Sequence, residues 1–324
     1  MRTADTPVPR TSAFVQNVEQ NSHQMRKCLI NICGPTAVGK TGVALYWAEK
    51  LGCPILSTDS RQCYKELAIG SAPPSAEEMQ RADHHFIADR SIHDPITAGE
   101  YERFAMDRLQ TLFTENNIVI AVGGSGMYID ALLNGLDPLP TNADVKAGLD
   151  QQFAADGLAP LVAKLQELDP AYAEKVDLNN PRRVIRALEV IMASGKKYSE
   201  QLNNSPKERP FEIVNWVLNM DRDQLYDRIN RRVHLMITDG LEAEARSLKS
   251  HADLPSLQTV GYREWWPYFQ GEYDLDRTIE LIQQYSRRYA KRQLTYFKRF
   301  ESALWIDPND INSQEESLRK AGVL

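Results

Sequence analysis

The stretch NICGPTAVGKTGVAL, residues 31–45, places the tightest limit on what this 324-residue chain can fold into. It holds Gly34, four residues, then Gly39, Lys40 and Thr41. Before it, CLINIC (residues 28–33) reads as a short buried strand. After it, Val43, Ala44, Leu45, Trp47, Ala48 and Leu51 recur at helical spacing. A phosphate-cradling loop needs strand, glycine-rich turn and helix in that order. Its backbone N–H groups then point inward at the positive end of the helix dipole. Gly34, Pro35, Thr36, Ala37, Val38, Gly39, Lys40 and Thr41 are therefore the candidate phosphate-binding residues. Lys40 would bring a point charge and Thr41 a hydroxyl for Mg²⁺. The loop alone leaves open whether the phosphates belong to a nucleotide or to another diphosphate.

The flanking pattern extends this loop into an α/β fold. An apolar strand near 54–58 ends in Asp59; another near 117–122 runs into Gly123-Gly124-Ser125, preceded by a helix near 98–115. Such alternation predicts a parallel sheet flanked by helices, with ligands at the carboxyl ends of the strands. The loop, Asp59 and the glycine turn are expected to share one crevice. From about Pro138 the sequence turns helical and strand-poor, with turn signals at Asp169-Pro170 and Asn179-Asn180-Pro181. A strand returns near 211–220, and helices follow near 222–239, 241–250 and 275–300. The expected organisation is a flexible tail over residues 1–24, a P-loop core over 25–140 and 206–324, and a helical insertion over 141–205.

No run approaches the roughly 18 apolar residues needed to span a bilayer, so no membrane role is expected. The first 24 residues are polar and lack the apolar segment of a signal peptide. Cys28, Cys33, Cys53 and Cys63 form neither a CxxC pair nor a zinc spacing, which points to reduced thiols in a cytoplasmic protein. A monomer is expected.

Several residues carry candidate chemistry. The strand near 117–122 ends in glycine, without the acid that P-loop ATPases and GTPases place there for Mg²⁺. That argues against a motor or a GTPase. Asp59 is a candidate general base; a helix N-cap or an outer Mg²⁺ partner is its plainer reading. Gly123 to Gly126 let backbone approach a ligand, with Ser125 offering a hydroxyl, or else form only a tight turn. Arg228 and Arg232, with Arg231 beside them, can clamp a diphosphate, or sit on a solvated face with Asp221 and Asp223. His84 and His85 are adjacent and point apart, a poor metal spacing.

Net charge is −6, yet residues 285–300 hold six Lys/Arg and no acid. On a helical wheel Tyr285, Tyr289, Tyr296 and Phe300 gather on one side; Arg287, Arg288, Lys291, Arg292, Lys298 and Arg299 lie opposite. A second cluster, Arg182, Arg183 and Arg186, follows a helix-start signal at Asn180-Pro181. Two basic helices in an acidic chain fit nucleic-acid contacts better than scattered charge.

Ten segments occur in order between about Cys28 and Trp305: GPTAVGKT, DSRQCY, IGSAPP, HHFI, VGGSGMY, NNPRRVIRALEV, DRINRRVHLM, GLEAEARSL, QTVGYREWW and AKRQLTYFKR. Together they make the chain resemble the tRNA dimethylallyltransferases, also called tRNA isopentenyltransferases, of the bacterial type. The resemblance implies transfer of a dimethylallyl group from dimethylallyl diphosphate to N6 of the adenosine at position 37 of tRNA, immediately 3′ of the anticodon. It implies that Gly34 to Thr41 hold the diphosphate with Mg²⁺ near Thr41, and that Asp59 takes the N6 proton. Ser60, Arg61 and Gln62 would meet the flipped adenine, and Arg232 with Ser125 would steady the leaving diphosphate. Lys146, Arg182, Arg183, Arg186, Gln258, Gly261, Tyr262, Arg263, Lys291, Arg292, Gln293 and Lys298 would face the tRNA anticodon stem-loop. The family usually has Thr at the position of Ser125, and it says nothing about the 24-residue N-terminal extension. Three other readings compete: an isopentenyltransferase acting on free adenine nucleotides, an ATP-dependent small-molecule kinase, and an RNA-binding module with a vestigial loop.

Overall fold

The computed structural model describes residues 26–203 and 205–324, so the tail expected over residues 1–24 lies outside the described residues. Six strands, β1 (Cys28–Cys33), β2 (Ile55–Ser57), β3 (His84–His85), β4 (Ile118–Gly123), β5 (Glu212–Leu218) and β6 (Leu304–Ile306), form one sheet in the order β3-β2-β4-β1-β5-β6. Every pairing is parallel. All six residues of β1 are buried, which is why CLINIC is nearly all apolar rather than alternating.

Register decides where the chemistry emerges. Cys33 pairs with Gly123 and Val217, and Ser57 with Val122. The residues after β1, β2 and β4 therefore leave the sheet along one edge, carrying the glycine loop, Asp59 and the Gly124-Ser125 turn. The helix Ala98–Glu115 starts with a capping box between Thr97 and Glu100. Its Tyr101 hydroxyl donates to Ser57 O at 2.8 Å, so the helix is pinned to the end of β2. Gly34 lies so close to β5 that a Cβ there would come within 2.7 Å of Leu218 O. No other residue type fits this position.

The sequence pattern missed β3, β6 and the helix Ile311–Lys320. Two or three residues carry no usable periodicity, and the helix is held by specific bonds instead of by a wide apolar face. Trp47 Nε1 donates to Gln314 Oε1 at 2.7 Å, and Trp216 Nε1 donates to Ser317 Oγ at 2.8 Å. The two indoles meet edge-on, 6.1 Å apart.

The chain divides into two compact units, one formed by the residues through Leu132 with Arg209–Leu324, the other by Leu133–Glu208. The second unit packs Leu149, Leu161, Leu165, Val184 and Leu188 from three helices, Ala143–Asp156, Ala159–Leu168 and Pro181–Ser194, into its own core. It is longer than the 141–205 read from the sequence. Arg186 Nη1 donates to Pro140 O at 3.1 Å, Asn142 N to Glu189 Oε1 at 3.1 Å, and Lys207 N to Asn134 O at 2.7 Å. Both ends of the connection thus belong to the helical unit. No helix among the described residues is long and apolar enough to cross a membrane.

Replacing Gln314 with leucine strands a buried indole N–H on Trp47. Chemical denaturation should then show a loss of about 1–3 kcal/mol. An unchanged unfolding midpoint would show that the helix Ile311–Lys320 does not depend on this bond.

Candidate active site

The helix Lys40–Leu51 follows Gly39 without a side-chain cap, so its first N–H groups stay open toward the loop. Ala37 in the loop has φ 65 and Ala72 across the crevice has φ 45. Left-handed backbone costs a residue with a Cβ roughly 1–2 kcal/mol, and both alanines line the same cavity. That cavity, about 670 Å³, is also walled by Lys40, Thr41, Asp59, Arg61, Gln62, Arg228, Arg231, Arg232 and Tyr289. Five cationic side chains face one carboxylate.

The cations are held there against their hydration. Lys40 Nζ donates to Gly34 O at 3.1 Å and Pro35 O at 2.9 Å. Burial pushes its ammonium down to about 8; Asp59 opposes the shift and Arg232 adds to it. Arg232 Nη1 donates to Thr36 Oγ1 at 3.1 Å, and burial draws its guanidinium below the ordinary value, with Asp59 again opposing. Arg228, Arg231 and Arg232 form no ion pair among the described residues. Asp221, one of their possible partners, instead caps its own helix at Asp223 N (2.9 Å) and Gln224 N (3.1 Å). Burial first, then Asp59, holds the Tyr289 phenol above its ordinary value.

Asp59 caps a turn rather than a helix, and leaves one oxygen over. Its Oδ1 accepts Arg61 N at 2.9 Å and Gln62 N at 3.4 Å, capping the turn that follows β2. Its Oδ2 has no hydrogen bond among the described residues. Ser125 differs from expectation: its Oγ accepts Ser60 N at 2.8 Å and donates to Ser60 Oγ at 3.0 Å. The hydroxyl is committed to the Asp59 turn, and the hydroxyl that meets Arg232 is that of Thr36.

The opposite wall is gathered by Glu244, which sequence reasoning missed. Its carboxylate accepts Ile69 N at 2.8 Å, Gly70 N at 3.0 Å and the Tyr262 hydroxyl at 2.6 Å. Gln62 Nε2 completes the wall by donating to Ala72 O at 2.9 Å. Nothing local marks Glu244, because its partners lie far away in sequence.

The residues expected to face tRNA separate into two groups. Lys291, Arg292 and Lys298 are exposed at the basic helix Leu275–Phe297 and its end; Arg182, Arg183 and Lys146 are exposed in the helical unit, Lys146 pairing with Asp150. Gln258 is exposed, with its amide donating to Ala252 O at 2.6 Å. The others are engaged by partners within the protein. Gln293 is 6% exposed: its Oε1 accepts Thr36 N at 2.8 Å and its Nε2 donates to Gly124 O at 2.9 Å. Tyr262 is fully buried, its hydroxyl held by Glu244. Gly261 N donates to Glu264 Oε2 at 2.8 Å, and Arg263 Nε pairs with Glu264 at 2.9 Å while lying over the Tyr285 ring. Arg186 is spent on Pro140 and on Glu189 at 2.9 Å. The resemblance implies exposure for these positions; distant partners bury Gln293 and Tyr262, whereas Arg263 and Arg186 stay partly exposed and are occupied by nearby acids.

Among the described residues no three His, Cys, Asp or Glu side chains gather as a metal site. Thr41 lines the cavity and its hydroxyl has no hydrogen-bond partner among the described residues. One free hydroxyl beside phosphate oxygens is a hard, oxygen-only donor set, which suits Mg²⁺ and not a soft metal.

Residues 62–300 match the family described as IPP transferase. The tRNA dimethylallyltransferase of Flavobacterium psychrophilum is 45% identical over 286 residues, covering 86% of this chain and 93% of that protein. The tRNA dimethylallyltransferase 1 of Bacteroides fragilis is 46% identical, covering 87% and 94%. The crystal structure of the tRNA isopentenylpyrophosphate transferase of Bacillus halodurans superposes with a TM-score of 0.67 at 34% identity, covering 92% of this chain and 97% of that one. A eukaryotic dimethylallyltransferase acting on tRNA shares the fold, with a TM-score of 0.76 at 23% identity, covering 92% and 78%. The chain belongs to the IPP transferase family.

Proposed function

We propose that this crevice transfers the dimethylallyl group of dimethylallyl diphosphate to N6 of adenosine 37 in tRNA. The observation that carries the reading is the charge imbalance: Lys40, Arg61, Arg228, Arg231 and Arg232 around Asp59 alone. Such a cavity favours a polyanion, and the diphosphate of an isoprenoid donor supplies one. The relatives named as tRNA dimethylallyltransferases support the choice of donor and acceptor.

In the proposed step the N6 amine attacks the allylic carbon that bears the diphosphate. The new C–N bond forms as the C–O bond breaks, the diphosphate takes the electron pair, and the N6 proton passes to Asp59. Asp59 Oδ2 is the open oxygen for that proton, because Oδ1 holds the turn. Lys40 and Arg232 are placed to stabilise the charge that grows on the diphosphate. Mg²⁺, held by Thr41 and the diphosphate oxygens, would supply further positive charge to the leaving group. An anticodon-loop adenine reaches a recessed carboxylate only by leaving its stack, as other base-modifying enzymes require. Lys291, Arg292 and Lys298 on one helix, and Arg182 and Arg183 on another, would meet the phosphate backbone. We place the reaction in the cytoplasm, carried out by a single chain.

Three outcomes are expected. With labelled dimethylallyl diphosphate and undermodified tRNA, the protein should transfer label without ATP, and Asp59→Asn should lower turnover by about 10²–10⁴-fold while tRNA binding holds. Transfer to AMP in place of tRNA, or strict dependence on ATP, would overturn the reading. Neutralising Lys291, Arg292 and Lys298 should flatten the dependence of log K on log salt by about 2 units in total. An unchanged slope would remove that face from the interface.

Lys40 provides the third. An anion binds its protonated form, so diphosphate affinity should be steady below about 8 and fall as pH rises through that value. Calorimetric titration of inorganic diphosphate into the wild type and Lys40→Arg isolates the effect, since the arginine stays charged. A fall of equal size in both proteins would assign the effect to another group.

A further inference from the structure

The helix Leu275–Phe297 buries Thr278, Leu281, Ile282, Ala290, Gln293 and Phe297. Among these, Gln293 is the residue whose polar atoms both reach out of the helix. Its Oε1 accepts Thr36 N of the phosphate loop, 257 residues away, and its Nε2 donates to Gly124 O, 169 residues away. A primary amide this deeply buried is retained only where donor and acceptor are both satisfied, and here they are satisfied by two different walls of one crevice.

The two partners are not arbitrary backbone. Thr36 also receives Arg232 at its hydroxyl, so the residue held by Gln293 is the one that seats the buried guanidinium. Gly124 precedes Ser125, whose Oγ holds Ser60 N and thereby the turn that bears Asp59. Residue 124 is shaped for this contact: a Cβ there would lie 2.4 Å from Gln293 Nε2. One amide thus spans from the diphosphate loop to the turn that carries the carboxylate.

We propose that Gln293 is a positioning residue that sets the spacing between the donor loop and Asp59, one arm governing donor binding and the other governing the chemical step. The inference rests on the proposed reading of this crevice. Its neighbours Lys291 and Arg292 face outward, so the helix that would meet tRNA is also the helix that holds the reacting groups in register.

The two arms can be separated by substitution. Gln293→Glu keeps an acceptor for Thr36 N and replaces the donor facing Gly124 O with a second acceptor. It should leave the KM for dimethylallyl diphosphate within about threefold and lower kcat by about tenfold or more. Gly124→Ala, which displaces Nε2, should reproduce that pattern. Gln293→Leu removes both arms and should raise the donor KM about tenfold as well. Donor-free tRNA affinity should stay within about twofold of wild type in all three, because Gln293 faces away from solvent.

Weakened tRNA binding with unchanged donor KM and kcat would overturn the proposal and return Gln293 to the tRNA surface. Equal loss of kcat and donor KM in Gln293→Glu and Gln293→Leu would also overturn it, since a general packing defect does not separate the arms. If the wild type transfers no dimethylallyl group, the functional reading fails. Affinity for inorganic diphosphate, about tenfold weaker in Gln293→Leu than in Gln293→Glu, then still tests the loop-side arm.

Discussion

Lys40 and Arg232 share a partly closed cavity with a single carboxylate, and much of the catalytic unit is arranged around that imbalance. Burial weakens the charge of Lys40, and its ammonium donates to the carbonyls of Gly34 and Pro35. A group held this way gains most when an anion arrives, since both hydration and ion pairing were forgone. Left-handed Ala37 and Ala72 store backbone strain at the same place. Strain and desolvation are tolerable because the strands that feed the loop and the Asp59 turn, β1 and β2, are buried along their whole length.

The sheet sets the site by register. β1, β4 and β5 end level with one another, and β2 ends beside β4. Gly34 presses against the last residue of β5, and Tyr101 ties the end of β2 to the helix behind it. The loop and Asp59 therefore cannot drift apart through the sheet. What remains adjustable is the irregular backbone above it, and that is where Gln293, Ser125 and Glu244 form their bonds.

Much of this was legible in the sequence because it rests on local pattern. The strand–loop–helix signature, the acid after β2 and the alternation of strands and helices each depend on neighbouring residues. The helical wheel correctly turned Lys291, Arg292 and Lys298 outward. It drew too sharp a line between rings and charges, however: Arg288 lies over Tyr285, Arg292 over Tyr289 and Arg299 over Tyr296. The family resemblance places Gln293 and Tyr262 on a tRNA-facing surface, and a basic cluster adds Arg186. Their partners are distant in sequence, or in the case of Arg186 lie in a connection that pattern alone places outside the helical unit. Burial of a polar group is decided by such partners, and a single sequence does not contain that information.

The same loop in a nucleotide hydrolase is read together with an acid at the end of a neighbouring strand, which serves the metal. Here that strand, β4, ends in Gly123, and the acid stands at the end of β2 with one oxygen fixed in a turn. A carboxylate anchored through one oxygen keeps the other in a defined direction, which suits a proton acceptor better than a flexible metal ligand. In the proposed reading the position of Asp59, more than the loop itself, separates an alkyl transfer from a phosphoryl transfer. In the first the diphosphate departs whole, so the cations that surround it need only hold it still while its charge grows.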